Sequence, residues 1–248
     1  QSCYIRNVLM NVTAILQGRV GSTRLPGKVL LPLAGKPVIL HVYERIKRCT
    51  NIDQIIVATS TRNRDNDIAR LFADLDVTVF RGSEEDPLDR FFDVATRCNL
   101  QHIVRIMADC PVVDPDVVDE VISFFSEGDY DFCYLGGEFP TGLDVTVFSY
   151  DTLKKAWNNS EDPSERQHIV SYMLKHSDLF RIGCVEIFEG LYHHRWVLDH
   201  EADYRLMTEI YDELYEPDRL FVTEDILHLL EQRPEMIQYN AHIPRTII

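Results

Sequence analysis

Apolar positions along this chain follow two rhythms that alternate. Short β-branched and apolar runs at Val12–Leu16, Gln54–Ser60, Val77–Phe80 and His102–Asp109 predict buried strands. Between them the spacing switches to the helical period. Val38, Val42 and Ile46 fall on one helix face behind Pro37, a residue suited to a first helical turn. Asp65–Phe72, Pro87–Arg97 and Asp114–Glu127 predict three more helices, the last stopped by Gly128. Four strand–helix units in a row predict an α/β fold with a three-layer, mostly parallel, Rossmann-like sheet. Right-handed crossovers then set the loops after these strands along one sheet edge. Ligands bind at that edge, where the strand order reverses.

After Gly128 the rhythm changes. The runs 131–135 and 143–149 predict strands close together, followed by helices over Tyr150–Trp157 and Ser164–His176. A strand over 180–187 and a short one over 194–198 come next. Asp199-His200-Glu201 leads into a helix ending near Leu214, and Thr223 opens a last helix to Gln232. With no polar linker, repeat or low-complexity segment, residues 12–242 predict one domain, in which about 131–186 forms an inserted β-rich arm. Such strands need a surface that buries an apolar face, and a two-fold interface is the common solution, so a homodimer through the arm is expected. Residues 1–11 read as an N-terminal extension; Gln1-Ser2 reads as an appended remnant and Met10 as a candidate natural start.

Composition narrows the function. The 248 residues carry a formal charge of −15, which argues against nucleic acid or an anionic membrane surface as partner. No apolar run approaches the roughly 20 residues of a membrane span. Six scattered cysteines, Cys3, Cys49, Cys98, Cys110, Cys133 and Cys184, form no zinc-like spacing, so reduced thiols and a cytoplasmic setting are expected. The first forty-three residues reverse the charge: Arg6, Arg19, Arg24, Lys28 and Lys36 stand there without one acid. A small basic focus on an acidic body suits a compact polyanion such as a nucleoside triphosphate.

That focus centres on GRVGSTRLPGK, Gly18–Lys28, directly after the first strand. It is not a P-loop, because five residues separate Gly21 from Gly27 and Val29, not a hydroxyl residue, follows Lys28. It is not a dinucleotide fingerprint, because Pro26 and Pro32 prevent smooth entry into a helix. What remains is an irregular loop whose backbone N–H groups and cations can wrap phosphates.

The run GRVGSTRLPGKVL with LAGKPV resembles the signature of the cytidylyltransferases that activate 3-deoxy-sugar acids, such as CMP-Kdo synthetase and the acylneuraminate cytidylyltransferases. FRGSEEDPLDRF, RIMADCPVVDP, GLDVTVFS, RWVLDHEADYRL and FVTEDILHLLEQRPEM resemble in particular the spore coat polysaccharide biosynthesis protein F family. The likeness runs from Val12 to about His242 and implies the nucleotide-diphospho-sugar transferase type of fold. It implies transfer of CMP from CTP to a sugar acid or phosphonate, with release of pyrophosphate, in surface polysaccharide or glycan biosynthesis. By that likeness Arg19 and Lys28 hold the β- and γ-phosphates, with Arg24 between them, and Gln17, Gly18, Gly21 and Ser22 complete the nucleotide loop. Arg81 and Asp89, beside Arg90, match a segment near the nucleotide. Asp109 and Asp199, each just after an apolar strand, match positions that hold Mg2+, although Asp199 could instead cap the following helix. Asp144, Arg166, His168, His194 and Arg195 fall where the acceptor is held, and Gln167 stands where the family commonly has an acid.

Two other readings stay open. Asp129-Tyr130-Asp131 has the spacing of a metal-bound sugar-nucleotide site in glycosyltransferases, although turn chemistry explains it equally. A catalytically silent nucleotide-binding scaffold is the third reading.

Overall fold

The computed structural model describes residues 10–245, so Cys3, Arg6 and most of the expected N-terminal extension lie outside the described residues. Strand β1 (Val12–Gln17) runs through the basic loop into a two-residue hairpin, β2 (Pro32–Leu33) and β3 (Lys36–Pro37), and then α1 (Val38–Ile46). Three units follow: β4 (Gln54–Ser60) with α2 (Asn66–Leu71), β5 (Thr78–Gly82) with α3 (Pro87–Arg97), and β6 (His102–Met107) with α4 (Pro115–Glu127). The remainder comprises β7 (Phe132–Leu135), β8 (Thr146–Ser149), α5 (Tyr150–Asn159), α6 (Pro163–Gln167), α7 (Ser171–Lys175), β9 (Ile182–Val185), α8 (Glu201–Leu214) and α9 (Thr223–Gln232).

Seven strands form one sheet in the order β5-β4-β1-β6-β8-β7-β9. Only β8 runs against its neighbours. Successive strand residues point to opposite faces, and both faces are covered. Ala14, Leu16, Val104 and Val147 enter the layer packed by α1, α4, α8 and α9. Ile15, Ile103, Phe132 and Phe148 enter the layer packed by α3, α5 and α7. Two covered faces explain why these strands read as nearly continuous apolar runs.

The structure corrects three expectations. The strands of 131–186 do not stand apart as an arm: β7, β8 and β9 extend the central sheet, and their apolar residues are buried within this chain. The single helix expected over Ser164–His176 is two, because His168 leaves helical geometry (φ −111°, ψ 94°) and turns both Ile169 and Val170 into the apolar layer. The run 194–198 is not a strand. Its backbone bonds divide between Thr141 and Asp109, leaving one isolated bridge.

Chain order leaves β1 toward β4 on one side and returns to β6 on the other, so the β1/β6 junction is the switch point. Gln17 pairs with Met107 there, which sets both strand ends level. Buried Asp114 ties this frame to the C-terminal helices. Its carboxylate caps α4 through the Asp116 N–H (3.1 Å) and accepts from the Thr223 N–H (2.8 Å) and hydroxyl (2.6 Å). Asp114→Ala removes a cap and strands buried donors, a loss of about 2–4 kcal/mol. A melting curve should therefore shift down by about 5–12 °C; an unchanged midpoint would contradict this account.

Candidate active site

The basic loop is built by specific bonds. The Val20 N–H donates to the carboxylate of fully buried Asp65 at 2.7 Å, and the Ser60 hydroxyl donates to the same carboxylate. The Gly27 N–H closes the loop on the Val20 carbonyl at 3.1 Å, with Gly27 in the left-handed region at φ 72°. Gly21 packs so closely that an added Cβ would lie 2.6 Å from both Arg64 and Glu84 side-chain atoms. Lys28 then begins a single 3-10 turn anchored by buried Val29.

Asp199 reaches this loop from the far end of the chain. The Leu198 N–H donates to the Asp109 carbonyl at 2.8 Å, which brings the two Asp residues side by side. Lys28 donates through Nζ to Asp109 and, at 2.5 Å, to Asp199; Arg24 donates to Asp199 at 2.8 Å. Burial works to lower the Lys28 pKa, but the two carboxylates outweigh it and raise the pKa, so Lys28 keeps its proton. On the other side of the loop, Arg19 donates to the Glu84 carbonyl at 3.1 Å and stands 3.8 Å from its carboxylate. Arg62 and Arg64 bind that same carboxylate, which sits below its usual pKa despite desolvation.

Gln17, Gly18, Arg19, Gly21, Ser22, Arg24, Lys28, Asp109, His168 and Asp199 therefore meet in one cleft, whose cavity volume is about 270 Å3. Gln167 lines it too. Asp109 and Asp199 aim one oxygen each at a single nitrogen, a point that suits a cation. Among the described residues no three His, Cys, Asp or Glu side chains cluster into an all-protein metal cage. Two carboxylates, completed by phosphate oxygens and water, match the way Mg2+ is bound.

Other expected site residues stand elsewhere. Arg81 is consumed by the Ser60 and Arg62 carbonyls and Asn66, which brace the segment after β4. Asp89 accepts from the Trp157 indole at 3.0 Å. Arg166 pairs with Asp86 at 2.5 Å, and Asp144 folds back onto the Gly142 N–H at 2.9 Å. His194 is buried beside His193 and Trp196; burial, then the His193 charge, push its pKa down to about 4. Arg195 is buried and bidentate on fully buried Asp203, at 2.9 and 3.0 Å. Each of these six is thus held by protein partners or burial and does not line the cleft. The Asp129–Asp131 run is held by Arg181 at the start of β7, the strand end opposite the cleft, which removes the glycosyltransferase motif reading.

Two further cations line the cleft: Arg90, which the sequence placed in a segment near the nucleotide, and Arg105, which escaped assignment from sequence. Arg90 is almost fully buried and donates to the Ser83 carbonyl, while its Nε finds no partner; burial, then the Arg19 charge, push its pKa down to about 10. Arg105 rises from β6. Arg105 could have been found from period-two counting, which sets it on the same strand face as Met107. Neither lies in the basic focus that drew attention.

Asp199 does not cap α8. The cap is Asp203, whose Oδ2 accepts from the Asp199 N–H (3.0 Å) and the His200 N–H (2.9 Å). Asp203→Ala would leave buried Arg195 with only the longer contact to Asp199 at 3.7 Å, a loss of about 3–5 kcal/mol. Asp199→Asn should cost about 1 kcal/mol or less, because Lys28 keeps Asp109 and Arg24 is half exposed. Chemical denaturation of both variants checks this; equal losses would restore Asp199 to a structural role.

A cytidylyltransferase family model matches residues 13–240. The spore coat polysaccharide biosynthesis protein SpsF of Bacillus subtilis is 28% identical over 232 residues, which cover 91% of this chain and 96% of that protein. The 3-deoxy-manno-octulosonate cytidylyltransferase of Geobacter sulfurreducens is 38% identical over 120 residues, 48% of this chain and 46% of that protein. A cytidylyltransferase structure from Leptospira borgpetersenii superposes with a TM-score of 0.87 at 28% identity, covering 96% of this chain and 99% of that one. The family match spans the sheet, the basic loop and both cleft carboxylates, and the chain belongs to the cytidylyltransferase family.

Proposed function

We propose that this protein transfers a cytidylyl group from CTP to a 3-deoxy sugar acid or a related acidic acceptor, in surface polysaccharide or glycan biosynthesis. The observation that carries this reading is the Lys28 ammonium shared by Asp109 and Asp199 beside Arg24, at the sheet's switch point. The relatives in polysaccharide biosynthesis and in octulosonate activation support the acceptor class.

In the reaction, an acceptor hydroxyl oxygen bonds to the α-phosphorus of CTP. The bond to pyrophosphate breaks, and the hydroxyl proton is lost. Such transfer asks for positioning and charge stabilisation rather than a covalent intermediate. Arg19, Arg24 and Lys28 grip the β- and γ-phosphates and stabilise the charge that builds on the leaving pyrophosphate. Lys28 exchanges a carboxylate for a phosphate oxygen as CTP enters. Gln17 and Gly18, at the end of β1, present polar groups to the nucleobase. Asp109 and Asp199 would hold Mg2+, which supplies Lewis-acid polarisation of the α-phosphate.

No helix among the described residues is long and apolar enough to cross a membrane. The free cysteines Cys49, Cys98, Cys110, Cys133 and Cys184 support a cytoplasmic setting. A homodimer is part of this proposal. The edge strand β9 and exposed Leu179 and Ile187 offer it a surface, and light scattering should give twice the chain mass.

CTP with Mg2+ should raise the melting temperature more than ATP, GTP or UTP, since binding to the native state stabilises it; equal shifts would count against cytidylyl specificity. Asp109→Asn and Asp199→Asn should each lower pyrophosphate release at least about a hundredfold, roughly 2.7 kcal/mol. Their double mutant should lose far less than the product, because both act on one ion. Chelation with EDTA should abolish release, and added Mg2+ should restore it. Full activity of either single variant with unchanged Mg2+ dependence would remove that residue from the site.

A further inference from the structure

The cleft's cations divide by what neutralises them. Lys28 and Arg24 are taken by Asp109 and Asp199, and Arg19 faces Glu84. Arg90 and Arg105 have no ion-pair partner among the described residues. Arg90 stands behind the segment after β5, where it donates to the Ser83 carbonyl next to Glu84, the residue that Arg19 faces. Arg105 stands on β6 between Gln17 and the end of α6, where Gln167 and His168 line the cleft. It shares the cleft lining with His168 and with Asp109.

Arg105 lies between Ile103 and Met107 on the face of β6 that α3 and α7 cover. Ile103 is sealed in the apolar layer, whereas Arg105 reaches the cleft floor where Gln167 and His168 end α6. Its contacts within the protein are weak for a guanidinium: Nε to the Gln17 amide oxygen at 3.4 Å and a terminal nitrogen to the Met107 sulfur at 3.1 Å. The end of α6 adds no acid, because Gln167 is neutral, and Asp109, the acid on the same cleft wall, is bonded to Lys28. A half-buried guanidinium with so little to bind is costly unless an anion arrives.

We propose that Arg105 binds the carboxylate of the acceptor and thereby selects an acid over a neutral sugar; this rests on the cytidylyl-transfer reading. The planar fork of Arg matches a carboxylate through two parallel N–H donors. Asp109 and Asp144 offset part of the Arg105 charge, which favours a monoanion over the dianion of a phosphonate. The acceptor thus sits with its acid on β6 and its attacking hydroxyl toward the α-phosphate above Asp109. Arg166, Arg195 and His194 leave this role vacant, since their own partners or burial keep them from the cleft.

The test uses the full chain with CTP in EDTA, so that no transfer occurs, titrated calorimetrically with 3-deoxy-manno-octulosonate and with its C1 amide. The wild type should bind the acid at least about tenfold tighter than the amide. Arg105→Gln should lose that preference while its affinity for CTP stays within about twofold, and Arg105→Lys should recover part of it. With Mg2+ and turnover, Arg105→Gln should raise the acceptor KM and leave the KM for CTP unchanged, a split that a purely structural role would not give. An acid preference retained in Arg105→Gln, or no acid binding by the wild type, overturns the assignment. Failure of the wild type to bind CTP in the same titration would instead strike at the cytidylyl-transfer reading.

Discussion

Everything in the cleft depends on one ammonium group held between two carboxylates that are distant in the chain. Lys28 meets Asp109 and Asp199, partners 81 and 171 residues away. Two aligned carboxylates repel each other unless a cation stands between them. The protein meets that requirement with its own lysine, which keeps both side chains aimed at one point before any ligand arrives. The arrangement needs three supports: Asp65 fixes the loop that carries Lys28, the Leu198–Asp109 backbone bond joins the two carboxylate segments, and Asp203 fixes the chain on either side of Asp199.

Buried charges outside the cleft serve this geometry. Asp203 is fully buried and receives bonds from Arg195, Asn240 and two backbone N–H groups. Arg45, also buried, donates to the carbonyls of Val113 and Phe221, joining the segment after β6 to the start of α9. A buried ion is tolerated when its hydrogen-bonding capacity is filled. Asp203 meets that condition, and Arg45 places two of its donors on carbonyls 68 and 176 residues away. Arg90 and Arg105 do not meet it: Nε of Arg90 has no partner, and Arg105 has only the Gln17 amide oxygen and the Met107 sulfur.

The acidic body and the basic cleft are parts of one design. A formal charge of −15 repels polyanions from most of the surface. Glu84 gathers Arg19, Arg62 and Arg64 around one carboxylate, and holds positive charge near the loop without scattering it.

The alternating periods of the sequence determined the first four strands, their helices and the carboxyl-edge position of the basic loop, because both periods are local consequences of backbone geometry. Apolar runs also marked Asp109 and Asp199 as the residues that follow them, although the run before Asp199 is not a strand, and the family resemblance marked Lys28 in the basic loop. The sequence did not determine where β7, β8 and β9 would go, since strand pairing is a long-range choice made by available sheet edges and apolar cover. Nor did it separate Arg195 from Arg105. Both are arginines in or near apolar runs, and only the folded chain decides which one finds a carboxylate. Arg195 lies eight residues before Asp203, the residue whose carboxylate the start of α8 requires, and is used up there. Arg105 stands on a sheet face that opens into the cleft, with no such partner in reach. Which cations remain available to a ligand is a property of tertiary pairing, because charge neutralisation depends on distance in space and not on separation along the chain.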